Sequence, residues 1–209
     1  MIKRIIFTFT IVVLFNSFIL AQEEPLLAEL FIKTGNGYLF VNNNADKSFS
    51  LEITGKDVKP AEGVQVPMFI VNGYPIQILS VDVKSFAPNN NGPGDLELLE
   101  KHRDWETNYL GKDIYQKKLK VFSSELKYGK RKALLWGFNR PSSNEQFQKD
   151  YFMTTIIGKT LLAIGIAPKT EDKESDVRKM AGTIMKTLEI QDKPFDIKKL
   201  SDSYRNSKK

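Results

Sequence analysis

One histidine, His102, is the only imidazole in 209 residues, and there is no cysteine. Those two counts bound the chemistry. Without cysteine there is no disulfide, thiolate metal site, iron–sulfur cluster or thiol nucleophile. A single histidine removes His-pair zinc sites and leaves one possible imidazole base. Such a base must be held by a partner and aimed at a substrate. Glu106, four residues on, is within helical reach of His102. The competing reading places His102 on a helix face at the core boundary. Glu97, Glu100, Asp104 and Glu106 read as the solvated face of that helix. No spacing among them suggests the two carboxylates that flank a sugar in a glycosidase.

Three short strings look chemical and dissolve on inspection. Ser124-Glu125-Leu126-Lys127 matches S-x-x-K and Lys33-Thr34-Gly35 matches K-T-G. In penicillin-binding enzymes the first opens a helix and precedes the second. Here the order is reversed, and Ser124 lies in a strand-like run. Gly158-Lys159-Thr160 resembles the end of a phosphate loop, but Met153 stands where the cradle needs glycine. Asp-rich calcium-loop spacing is absent too. No metal or cofactor is expected.

Aromatic residues are numerous: Trp105, Tyr109, Trp136, Phe138, Tyr151 and Phe152. Most belong in a core. A surface subset of Trp136 and Phe138 with Arg131, Lys132 and Arg140 would make a protein-binding patch, since Trp, Tyr and Arg dominate interface hot spots. The basic runs at 117–118, 130–132 and 198–199 read as solvated surface, or as attractors of acidic partners or anionic headgroups.

The elements that must position these groups follow from periodicity. Phe49, Leu51 and Ile53 alternate with polar residues, a half-buried strand. Residues 66–71 form an apolar run closed by Asn72-Gly73, a hairpin pair. Residues 76–86 alternate with a change of phase between Ile78 and Leu79, which predicts a bulge there. Breakers fill residues 87–94, and Asp95 is placed to cap a helix. Leu98, His102, Trp105 and Tyr109 then share one helical face, ended by Gly111. Strand runs return at 119–126 and 133–138. Residues 151–157 and 160–167 form the strongest hairpin pattern, around Gly158-Lys159. Val177, Ala181, Ile184 and Leu188 mark a second amphipathic helix over 175–188. Hairpin connections make antiparallel pairs. The expected class is α+β, an antiparallel sheet packed by two main helices.

The first 21 residues carry the pattern of a secretory signal: Lys3 and Arg4, an apolar stretch over 5–15, and Ala21 before Gln22-Glu23-Glu24. The alternative is an uncleaved anchor helix. Removing Lys3 and Arg4 lowers the net charge from +6 to +4, mildly basic and no nucleic-acid signature. Beyond position 30 no apolar run approaches the roughly 18–20 residues of a membrane span. A cysteine-free exported chain suits a bacterial envelope better than a disulfide-dependent secreted domain. The expected organisation is a signal at 1–21, a lead-in at 22–36, one domain at 37–190, and a basic C-terminal tail at 191–209 whose last nine residues, 201–209, fray.

Three pieces of this pattern resemble the PsbP-like superfamily, which includes the Mog family and related bacterial domains. Ser48-Phe49-Ser50-Leu51-Glu52-Ile53 is similar to its early F-x-L-x-I strand. Residues 151–164 are similar to its late hairpin, and 180–190 to its closing helix and exit. The resemblance implies an α/β/α sandwich, docking onto other proteins, and no enzymatic activity as a family trait. It carries over no functional residue.

Three functions follow in order of preference. The first is a non-catalytic, exported accessory protein that docks onto another envelope protein. Its sheet would be the platform, and the loops at 87–94 and 138–146 would make contacts. The second is a carrier of a small apolar ligand in a cavity lined by Leu98, Trp105, Val81, Ile164 and Ile184. The third is a hydrolase using His102 with an acidic partner.

Overall fold

The computed structural model describes residues 29–62, 67–89, 94–141 and 147–206. The signal pattern at 1–21 lies outside them, as do parts of the lead-in and of the loops at 87–94 and 138–146.

Two antiparallel sheets form, where the sequence predicts one. The smaller holds β1 (Glu29–Lys33), β2 (Gly37–Asn42), β3 (Ser48–Thr54) and β11 (Glu189–Gln191), in that order. The larger has seven strands: β4 (Val58–Pro60), β5 (Met68–Val71), β6 (Tyr74–Asp82), β7 (Val121–Tyr128), β8 (Arg131–Asn139), β9 (Lys149–Ile157) and β10 (Thr160–Ile166). Their spatial order is β4-β5-β6-β10-β9-β8-β7. Among the described residues three α-helices join them: α1 (Asp95–Tyr109), α2 (Glu174–Met185) and α3 (Ile197–Asn206).

Side-chain parity explains the layers. On β10, Leu162, Ile164 and Ile166 point to one face, where α2 and the smaller sheet bury them with Phe40, Phe49 and Leu51. Leu161 and Ala163 point to the other face, under α1, with Leu98, Leu99 and Trp136. A strand buried on both faces must be apolar at every position. This accounts for the unbroken runs in β8 and β10. It also accounts for the phase change in β6. Ile76 and Ile78 serve one core, Leu79 and Val81 the other. Pairing with β10 runs one to one from Ile76↔Ile166 to Asp82↔Thr160, so the predicted bulge is replaced by a straight strand.

The β9–β10 hairpin forms as the sequence predicts, with Ile157 paired to Thr160 across two loop residues. Gly158 has φ +59 there, and a Cβ would lie 2.2 Å from the Asp46 carboxylate. That carboxylate accepts the Lys159 backbone N–H at 2.8 Å.

The domain exceeds the expected 37–190 at both ends. The lead-in supplies β1, which pairs with β2 along its whole length. The tail forms α3, which runs through residues 201–206 where fraying is predicted. Its Ile197, Leu200 and Tyr204 pack with Phe195 against Leu39 and Val41, on the outer face of the smaller sheet. Asn43 fastens this return. It donates Nδ2–H to the Phe195 carbonyl at 2.9 Å and accepts the Phe195 N–H at 2.7 Å. The layers are therefore α1, the seven-stranded sheet, α2 beside the four-stranded sheet, and α3. α1 starts from Gly94 without a side-chain cap, and it ends in a π turn, Leu110–Ile114, that runs through Gly111.

Candidate functional site

Where α1 leaves the sheet at Leu110, the sheet face beneath it opens. One cross-strand row explains the opening. Met68, Gln77, Gly165, Phe152, Trp136 and Ser123 are successive partners from β5 to β7. Gly165 offers no side chain at the middle of that row. Phe152 is stacked on Trp136 with centroids 4.3 Å apart and planes 18° apart, and the edge of its ring lies beside Gly165. The result is an open groove of about 390 Å³, bordered by Met68, Tyr115, Arg140, Phe147 and Phe152.

The groove is apolar with one charged rim. Arg140 donates Nε–H to Asp150 Oδ2 at 2.8 Å and Nη2–H to Oδ1 at 2.6 Å, a bidentate pair. Such pairs fix geometry as well as charge. The bond to Asp150 holds the Arg140 guanidinium above its ordinary value. Burial, with the Asp150 charge adding to it, pushes the Tyr115 phenol up, so it stays protonated at neutral pH.

The sequence-predicted docking residues divide. Phe138 and Arg140 line this groove. Trp136 and Phe138 are not surface groups, being 0% and 1% exposed, because β8 turns both toward the α1 core. They form the floor under Phe152 instead of a patch. Arg131 and Lys132 are exposed at the opposite end of β8, remote from Arg140. Sequence reading passed over Tyr115, Phe147 and Gly165. A glycine inside the apolar run of β10 is the signal that marks a close approach or a gap.

The predicted ligand cavity does not assemble. Leu98 and Val81 belong to the α1 core, whereas Ile164 and Ile184 belong to the α2 core on the far side of the sheet. Trp105 is 41% exposed on the helix. Five residues split across a closed sheet cannot line one cavity.

His102 takes the core reading: it lies on the buried face of α1. It is 3% exposed, edge-on to Phe86 at 5.1 Å and near Trp136 at 6.3 Å. Burial pushes its pKa down to about 4. Glu106 is pushed up by burial. Among the described residues no ion pair or hydrogen bond joins the two, and an imidazole walled by aromatic rings cannot meet a substrate. In the S-x-x-K string, Ser124 faces α2 and accepts a bond from Arg178 Nη2 at 2.6 Å. Lys127, three residues on, points to the opposite face of β7.

No protein-family model matches the chain, and no curated protein matches it. The structure is similar to the solution structure of cyanobacterial PsbP (CyanoP) from Synechocystis sp. PCC 6803. The likeness covers 73% of this chain and 92% of that chain, at 10% identity and a TM-score of 0.43. At that identity no side-chain role passes from one protein to the other. Among the described residues no helix is long and apolar enough to cross a membrane.

Proposed function

We propose that this protein is an exported, non-catalytic accessory protein that docks onto another protein of the bacterial envelope. The pattern of the first 21 residues supports export. The observation that carries docking is the groove. Tyr115, Phe147, Phe152, Met68 and Arg140 converge on one open apolar surface. Aromatic residues, methionine and arginine are the types enriched at protein interfaces. The stack on Trp136 and the bidentate pair to Asp150 fix two of them in advance, which lowers the ordering cost of association.

The test is capture from a bacterial envelope extract by the wild-type chain and by Phe147→Ala and Arg140→Gln variants. A partner retained by wild type and lost by both variants supports the reading. Equal capture by all three removes it. The groove's volume, about 390 Å³, also falls within the range of small-molecule sites. A bound apolar small molecule is therefore the second reading. Native mass spectrometry that finds one molecule bound to wild type and none to Phe147→Ala would favour it.

A further inference from the structure

The net charge of the chain is concentrated in one place. Residues 112–132 hold eight basic and two acidic side chains, a net of +6, which equals the net charge of the whole chain. The remainder is neutral. This segment contains β7, the outermost strand of the larger sheet.

The edges of that sheet are unlike. At one side β4 is three residues long and ends in Pro60, the short, proline-stopped edge that proteins use to prevent pairing. At the other side β7 runs eight residues without proline or glycine. It pairs one to one with β8 from Val121↔Phe138 to Tyr128↔Arg131, with no bulge to turn the edge away. About half its backbone N–H and C=O groups face outward along about 25 Å. Two arginines clamp it from opposite faces. Arg103 of α1 donates to Ser123 Oγ at 3.1 Å, and Arg178 of α2 to Ser124 Oγ at 2.6 Å.

Exposed cations bracket this edge. Lys117, Lys118 and Lys120 precede it, and Lys130, Arg131 and Lys132 follow it. Among the described residues none of the six makes an ion pair. An open depression of about 700 Å³, lined in part by Lys112, Lys117 and Lys118, continues the edge beyond Val121. A second copy of this chain would bring two such segments together and be repelled. An acidic strand would be attracted at both ends.

We propose that β7 is a strand-addition site for an extended acidic segment of a partner protein. Main-chain bonds along β7 give affinity, as in other strand-addition complexes. The lysines select the charge of the incoming strand. The proposal rests on the docking reading for the existence of a partner, but it uses a surface separate from the groove.

The experiment uses the full chain and a fluorescent eight-residue peptide alternating glutamate with valine, read by anisotropy and by amide hydrogen exchange. The expected result is saturable binding with slowed exchange confined to 121–128 and its neighbours on β8. Replacing the valines by prolines keeps the charge but removes donors, and should weaken binding by at least about tenfold. A Lys118→Glu, Lys120→Glu, Lys132→Glu variant, changed only at exposed positions, should lose a similar factor. Phe147→Ala should bind the peptide as wild type does. Equal binding of the proline peptide would reduce the site to charge alone and overturn strand addition. Binding to anionic phospholipid vesicles with none to the peptide would assign the patch to a membrane surface and overturn it too. If the peptide does not bind while groove-dependent capture persists, this proposal fails and the docking reading stands. The converse result removes the groove and leaves the edge.

Discussion

On the side of the larger sheet that faces α2, Ile76, Ile78, Leu162, Ile164 and Ile166 are sealed beneath a helix and a second sheet. On the side that faces α1, one helix covers Leu134, Trp136, Leu161 and Ala163 and then ends, leaving Gln77, Gly165 and Phe152 beside an open groove. The same strands supply both faces. The difference lies in what arrives to cover them. The α2 side has two covering elements, tied together where Thr187 accepts the Glu52 N–H at 2.8 Å. The α1 side has one, and its π turn at Leu110–Ile114 carries the chain away from the sheet. Stability should therefore be insensitive to the groove's rim and sensitive to its floor, while binding should depend on the rim.

The largest expected effect is at the floor. Trp136→Ala removes a fully buried ring that carries both Phe152 and the contact to His102. It should cost about 3–5 kcal/mol in denaturant unfolding. Among the described residues Trp136 Nε1 has no hydrogen-bond partner. Trp136→Phe therefore forfeits volume but no hydrogen bond, and should cost clearly less. If Phe147→Ala at the rim destabilises as much as Trp136→Ala, the two sides are not finished differently and the groove is part of the core.

His102 gives the next effect, read against pH. Its pKa is about 4 in the fold, against about 6.5 when unfolded. Below about pH 6.5 the unfolded chain binds a proton that the folded chain refuses. Stability from this residue is thus full above about pH 6.5 and is lost as pH falls toward about 4, by roughly 3 kcal/mol at most. Glu106 and Glu29, raised by burial, act in the opposite sense. The comparison is therefore between wild type and His102→Leu. The variant should lose the part of the slope that lies between about pH 6.5 and 4. Parallel pH profiles would mean that the imidazole is solvated in the fold.

The legible parts of the sequence were those with local causes. The β9–β10 hairpin follows from Gly158 between two apolar runs, and α2 from the stripe Val177, Ala181, Ile184, all buried. The failures share one physical origin. A run such as 133–138 shows that both faces of β8 are buried, yet says nothing of which neighbour buries each. Trp136 and Phe138 could be assigned to a surface for that reason. The tail carried Ile197, Leu200 and Tyr204 at helical spacing, but the face they cover lies on β2, and Asn43 meets Phe195 across 152 residues. Nothing local announces such a contact. The groove was half legible. Phe138 and Arg140 were singled out, but the opening depends on Gly165 meeting Phe152 across strands, which is a matter of register.

Gly165→Val gives the smallest expected effect on stability and the sharpest on function. A Cβ there would stand 3.3 Å from Phe152 Cε1 and 3.7 Å from Gln77 Cβ. The contact is tight, but the Phe152 ring has an open side toward the groove and can yield by a few tenths of an ångström. A β-branched residue in a central strand regains propensity that glycine gives up. The two terms oppose each other, so unfolding free energy should change by no more than about 1 kcal/mol. The side chain nevertheless fills the middle of the row from Gln77 to Phe152. Whatever occupies the groove should be lost from the variant while binding of the acidic strand at β7 is unchanged. Retained capture with unchanged stability would mean that the gap at Gly165 has no part in recognition, and the open side of the sheet would owe its shape to the end of α1 alone.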